Sequence, residues 1–299
     1  MSLRHFLEVD DLDADELARV LDLAEAVQPP QVLAGLGVAL LFEKPALRTR
    51  NATEMAVVQL GGHPLSLKGD EVGLSAREPA RDVVRVLGGY HAAVAARVFD
   101  HAVLEDMAAF SSVPVINLLS DRSHPCQALA DLLTLRQHYG RLQGLRVAYV
   151  GDFNNVARSL GIACAMAGVS YAVGCPPDFS PTPADVDHVG ALGGTIDVFA
   201  RPEEAVAGAD AVYTDVWTSM GQEAEATQRL RAFEGFTIDA KLMARAGEKA
   251  VFLHCLPAHR GEEVADEVVE GERSLVWQQA HNRMHAVRGL FLWLFSEDS

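Results

Sequence analysis

Apolar positions recur along the chain in two alternating rhythms. Leu17, Val20, Leu21 and Ala24 fall at i, i+3, i+4 and i+7, one stripe of a helix. Asp13 precedes the stripe as a cap, and Glu16, three residues on, brings the start close to a capping box. After the loop at Pro29 and Pro30, the unbroken apolar run Gly37–Phe42 predicts a buried strand. A helical stretch over 50–60 follows and stops at Gly61 and Gly62. Further strands are predicted over 92–98, 113–118, 145–150, 169–173, 195–199, 211–216 and 250–256, with helical patterns between most of them. The final helix, about 280–295, carries Met284, Val287, Phe291 and Leu294 on one side. Strand-helix-strand alternation predicts right-handed crossovers and parallel sheets, hence an α/β fold.

Length adds a domain count. The 299 residues are enough for two domains, and Tyr139 and Gly140, just before the strand at 145–150, mark a boundary. No apolar stretch approaches the roughly 20 residues that span a bilayer. The N-terminus runs from Met1 to Phe6 without an apolar signal core, so a cytoplasmic protein is expected. The net charge of -16 excludes a diffuse nucleic-acid or anionic-membrane surface, which needs a basic face. A small anion remains open, provided a few focused arginines hold it. Cys126, Cys164, Cys175 and Cys255 form no CxxC pair, which argues against a disulfide framework or zinc knuckle. Each is read first as a small buried hydrophobe.

Ligands of open α/β sheets bind at the carboxyl ends of strands, so the polar residues there carry the candidate chemistry. After the first strand come Glu43 to Arg50, with Arg48 and Thr49 at a helix start. Free N–H groups, the helix dipole and planar guanidinium forks suit an anion. The plain alternative is a solvated helix start. Arg97 ends the strand at 92–98 and can face the same anion. His124 can donate to a carbonyl oxygen and Gln127 can accept from an amide, or both can belong to an ordinary helix start. The turn Gly151 to Asn155 lacks the GxGxxG pattern and so disfavours a dinucleotide, while its two asparagines suit an amino-acid head group. Asp215 can hold an ammonium, and Ser219 a carboxylate or amine. His254 and Cys255 are adjacent on a strand, so they point to opposite faces and form no simple dyad. His281 and His285 have metal-ligand spacing but lack the zincin glutamate, which favours a polar helix face.

Together the segments FEKPALRTR, HPCQ, GDFNN, DVWTSMGQE and HCLP, closed by HNR, resemble the aspartate/ornithine carbamoyltransferase family over nearly the whole chain, on its ornithine-using side. The resemblance implies two parallel-sheet α/β domains with helices on both faces, linked by crossing helices. It divides the chain into a carbamoyl-phosphate-binding domain, 1–138 plus 280–299, and an ornithine-binding domain, 139–279. It implies carbamoyl transfer from carbamoyl phosphate to the δ-amine of L-ornithine, giving L-citrulline and phosphate in arginine biosynthesis. It further implies an active site in a cleft, a homotrimer or multiple of trimers, and neither metal nor organic cofactor.

Carried over residue by residue, the resemblance makes Arg97, His124, Cys255 and Arg283 catalytic. Ala46, Leu47, Arg48 and Thr49 match the phosphate loop, and Gln127 joins His124 on the carbamoyl group. Asn155, Asp215, Ser219, Met220, Cys255 and Leu256 match the ornithine set. The family loop usually reads Ser-Thr-Arg-Thr-Arg, and here Ala46 and Leu47 replace its first two hydroxyls. Glu71, in a segment that matches a mobile family loop, is given no site role. Two other readings remain. One is a carbamoyltransferase for putrescine or N-acylated ornithine. The other is a catalytically weak regulatory paralogue, which the missing hydroxyls favour.

Overall fold

A computed structural model describes residues 3–74, 77–218 and 223–296. The chain divides into two compact units, one of residues 1–133 with 281–299 and one of residues 134–280. It leaves the first unit within the helix Pro125–Tyr139 and returns within the helix Val276–Leu294.

The first unit holds a four-stranded parallel sheet of β1 (Gly37–Phe42), β2 (His63–Lys68), β3 (Ala93–Arg97) and β4 (Val115–Leu119), in the order β2-β1-β3-β4. β1 is buried from Val38 to Phe42 and β3 throughout, which is why both read as continuous apolar runs. β2 was not anticipated. It carries Pro64 and is only partly buried, as an edge strand allows. The capping box at Asp13 and Glu16 forms as expected, and Leu17, Val20, Leu21 and Ala24 are buried. Gly289 of the closing helix is required by packing. A Cβ there would lie 2.4 Å from the Val20 carbonyl oxygen and 2.7 Å from the Ala24 nitrogen.

The second unit holds a five-stranded parallel sheet of β5 (Arg146–Val150), β6 (Ser170–Gly174), β7 (Ile196–Phe199), β8 (Ala211–Thr214) and β9 (Val251–His254), in the order β7-β6-β5-β8-β9. Its core packs Val150, Val212, Trp217, Phe233 and Phe252 among others.

Strand order decides where chemistry can sit. In each sheet the order reverses once, between β1 and β3 in the first and between β5 and β8 in the second. A crevice opens outside the carboxyl ends of two strands where their connections leave in opposite directions. Arg48, Thr49 and Arg97 follow the strands at the first of these points, and Asn155 and Asp215 those at the second. Among the described residues no helix is long and apolar enough to cross a membrane.

Candidate functional site

In the first unit the helix after β1 spans Leu47–Gln59, three residues earlier than its pattern predicts. Arg48 and Thr49 therefore lie inside its first turn, where backbone N–H groups have no intrahelical acceptor. Ala46 occupies the N-cap and supplies no side-chain cap, and Leu47 is 76% exposed. The hydroxyl oxygen of Thr49, which is buried, accepts from two guanidiniums. Arg283 Nη2 donates at 2.7 Å and Arg97 Nη1 at 3.3 Å. A register shift between Ala96 and Arg97 interrupts the β3–β4 ladder at this point. Irregularities of this kind re-aim a side chain, and Arg97 is buried toward Thr49.

His124 is buried within the field of both arginines. Burial first, then the charges of Arg283 and Arg97, hold its imidazole well below the ordinary histidine value. It is neutral at physiological pH and keeps one N–H to donate. Gln127, also buried, donates from Nε2 to Asp131 Oδ1 at 2.8 Å. That bond orients the amide and leaves its buried carbonyl oxygen as an acceptor. Cys126 between them donates to the Asn117 carbonyl, and burial pushes its thiol up to about 12, the behaviour of an inert core cysteine.

Arg97, Arg283, Thr49 and His124 thus come together. Arg48 is only half-buried, and among the described residues no hydrogen bond joins it to this group. Lys44, which the sequence reading passed over, belongs nearby. Its ammonium lies 4.3 Å from the centre of the Phe99 ring, and burial followed by the charge of Arg97 lowers its proton affinity. Glu71 accepts from the Lys68 amide and so caps a short local helix.

In the second unit Asp215 is the centre. Its buried carboxylate accepts from Asn154 Nδ2 at 2.9 Å, from the Val216 amide at 2.8 Å and from the Cys255 thiol at 2.9 Å. Asn154 also caps the helix Asn155–Met166, accepting from the Val156 and Ala157 amides. Sequence reasoning chose Asn155, which is the first residue of that helix, and missed that Asn154 is the one bonded to Asp215. Gly151, at φ 140° with the Trp217 ring 3.8 Å from where a Cβ would stand, makes the turn possible.

His254 and Cys255 do not point apart as strand alternation predicts: β9 ends at His254, and a His254 ring nitrogen, the Cys255 thiol and an Asp215 carboxylate oxygen all lie within 4.8 Å of one another. The Leu256 amide donates to His254 Nδ1 at 2.8 Å, so Nε2 carries the proton toward Glu263, 3.2 Å away. Leu256 itself holds φ 60°, a strained conformation for a branched residue, fixed by that bond. Ser219 and Met220 lie outside the described residues. On the closing helix His281 is exposed, and burial first, then the charges of Arg288 and His281, lower the proton affinity of His285.

One unit therefore presents a cationic, hydroxyl-bearing anion site with a neutral imidazole. The other presents a carboxylate, an amide and a thiol suited to an amine. Residues 4–137 match the aspartate/ornithine carbamoyltransferase family's carbamoyl-P binding domain, and residues 143–294 its Asp/Orn binding domain. An ornithine carbamoyltransferase of Acidothermus cellulolyticus is 48% identical, covering 98% of this chain and 96% of its own. The structure of the Pyrococcus furiosus ornithine carbamoyltransferase, 42% identical, superposes with a TM-score of 0.92, covering 97% of this chain and 96% of that one. An anabolic ornithine carbamoyltransferase from Campylobacter jejuni, 35% identical, gives a TM-score of 0.93 over 98% of this chain and 99% of its own.

Proposed function

The chain belongs to the aspartate/ornithine carbamoyltransferase family, and we propose how its two units share the reaction, the transfer of a carbamoyl group from carbamoyl phosphate to L-ornithine with release of L-citrulline and phosphate. The first unit holds the donor. First-turn amides of the helix Leu47–Gln59, with Arg48 and Thr49, take the phosphate. Arg97, Arg283 and His124 surround the carbonyl oxygen, and Gln127 accepts from the carbamoyl amide. The second unit holds the acceptor, with Asp215 on an ammonium group and Asn155, Cys255 and the Leu256 backbone around it.

The neutral δ-amine of ornithine attacks the carbamoyl carbon. A C–N bond forms, charge grows on the carbonyl oxygen, the C–O bond to phosphate breaks, and the proton lost by the nitrogen leaves with the departing phosphate. Preorganised cations stabilise that charge where it develops. A neutral His124 donates without competing for the proton of the attacking amine. No protein nucleophile is needed, so Cys255 serves as a wall of the amine pocket, its thiol already donated to Asp215.

The observation that carries this reading is the convergence of Arg97 and Arg283 on the Thr49 hydroxyl beside His124. The test is an assay of ureido product with ornithine, putrescine, acetylornithine and aspartate in turn. Ornithine is expected to lead by kcat/KM, and preference for any other amine overturns the choice of acceptor. The uncapped Ala46 and the exposed Leu47 favour a second reading, a paralogue with little activity. Calorimetric titration with carbamoyl phosphate separates the two, because such a paralogue would show no binding at millimolar ligand.

Arginine biosynthesis in the cytoplasm is part of the same reading, supported by four cysteines none of which is in a disulfide. A homotrimer is also part of it. Leu47, Met55 and Val58 are exposed along one helix face, with Leu65 exposed on edge strand β2. Such an apolar stripe suits a second copy of the chain. Sedimentation should report three copies, and Met55→Glu with Val58→Glu should shift the mass toward a monomer.

A further inference from the structure

The two turns that build the amine half-site are joined by a residue outside both. Arg229 lies on the short helix Ala226–Ala232 and is buried, with 7% exposed. Its Nη1 donates to Asp152 Oδ2 at 2.8 Å and to the Trp217 carbonyl at 2.9 Å. Its Nε donates to Glu225 at 3.2 Å, and its guanidinium stands 4.9 Å from the centre of the Phe179 ring. Asp152 sits two residues before Asn154, and Trp217 two residues after Asp215. Around this cation the Phe233 ring lies tilted against Phe179 and stacked on Trp217, with centroids 4.7 and 5.4 Å apart. The Phe153 amide also donates to the Phe179 carbonyl at 3.0 Å. The turn after β5 and the turn after β8 are thus fastened to one guanidinium.

Charge reinforces the geometry. Arg229 faces the carboxylates of Asp152, Glu225 and, through Asp152, Asp215, while Cys175 and Tyr149 lie within the field of Asp152. Burial pushes the Asp152 carboxyl up, and the hydrogen bond and charge of Arg229 pull against that. Without the cation, a second carboxylate beside Asp215 would either compete for the ammonium of the substrate or take up a proton.

We propose that Arg229 is a positioning residue for the amino-acid substrate: it fixes the spacing of Asn154 and Asp215 across the sheet's reversal point and neutralises Asp152, so that Asp215 alone receives the ammonium. The inference rests on the assignment of this unit to ornithine. An Arg→Lys exchange keeps the charge and loses the planar fork, while Arg→Gln loses the charge.

The test compares steady-state citrulline formation by the wild type, Arg229→Gln, Arg229→Lys, Asp152→Asn and the double variant Arg229→Gln/Asp152→Asn. Arg229→Gln should raise the ornithine KM about tenfold or more, the weight of a hydrogen bond to a charged group. The carbamoyl phosphate KM should stay within about twofold, since that ligand is held by the other unit. Arg229→Lys should recover part of the loss. The double variant should be better than the two single effects multiplied, because the uncompensated carboxylate is gone. In Arg229→Gln the acid limb of kcat/KM for ornithine should move to higher pH, and the double variant should return it.

Calorimetric binding of carbamoyl phosphate checks that each variant is folded. A folded Arg229→Gln with unchanged ornithine KM overturns the proposal. So does an equal rise in both KM values with no recovery in the lysine or double variants, which marks a general structural role. If the wild type itself makes no citrulline, the assignment of the unit fails instead, whatever the variants do.

Discussion

Arg283 donates to the Thr49 hydroxyl at 2.7 Å although the two residues stand 234 positions apart, and Arg97 meets the same oxygen from a third segment. One small hydroxyl therefore sets the spacing of two guanidiniums whose charges would otherwise drive them apart. Thr49→Val keeps the shape and removes the acceptor. It should lower kcat/KM about 10- to 100-fold, the cost of one or two hydrogen bonds to charged groups. Thr49→Ser should stay close to wild type. Steady-state kinetics of the two variants check this, and a valine variant of normal activity refutes the spacing role.

Arg97→Ala should lower kcat about 100- to 1,000-fold, as loss of one preorganised donor at a developing oxyanion does. The loss should appear in kcat more than in the ornithine KM. Presteady-state measurement of product formation with both substrates saturating gives the comparison.

Asp215→Asn keeps an oxygen for the Val216 amide and the Cys255 thiol, but it sets an NH2 group against the Asn154 Nδ2 donor and removes the charge at the centre of the second unit. The ornithine KM should rise about 10-fold or more, the weight of a charged hydrogen bond, while calorimetric affinity for carbamoyl phosphate stays unchanged. Loss of carbamoyl phosphate binding would show that the units do not divide the ligands as proposed.

His124 predicts a sign for pH. Its folded proton affinity is depressed by burial and by Arg283 and Arg97, so the unfolded chain binds the proton more readily. The stability it contributes is complete above the unfolded value of about 6.5 and is lost as pH falls below it, at up to about 1.4 kcal/mol per pH unit. His5, His91, His101 and His285 are lowered too and act in the same direction. Urea midpoints at pH of about 7.5 and 5.5 should therefore fall for the wild type and fall less for His124→Gln.

Ala46→Ser with Leu47→Thr returns two hydroxyls to the phosphate loop. The serine also caps a helix whose N-cap supplies no side-chain bond, worth about 1 kcal/mol. The carbamoyl phosphate KM should fall several-fold and the melting temperature should rise. If the KM does not move, backbone amides and nearby cations such as Lys44 already satisfy the phosphate.

Local signals were legible before any coordinates. The capping box at Asp13 and the apolar run of β1 follow from spacing, whereas the opposite faces expected of His254 and Cys255 fail because the strand ends between them. Longer-range facts were not. Strand order is not written in any one segment, so nothing local announced that Arg97 and the Leu47–Gln59 helix flank one reversal point, or Gly151 and Asp215 another. β2 escaped because Pro64 and partial burial blur an edge strand's pattern. Asn154 and Asn155 are chemically identical and adjacent, and only the cap geometry tells which one reaches Asp215. Arg229 carried no motif, since its partners lie 77 and 12 residues away.

The first unit is interrupted by the second, and Gly289 seats the last helix against the first. Translation delivers these parts in a fixed order. Residues 134–280 emerge as one uninterrupted stretch and can fold while still tethered to the ribosome, whereas the flanking unit must wait for its final segment. Arg283 is delivered only after the second unit is complete. A nascent chain that stops short of this segment thus lacks one of its two guanidiniums at Thr49, and the capacity to grip an acyl phosphate is completed only after the whole second unit has been made.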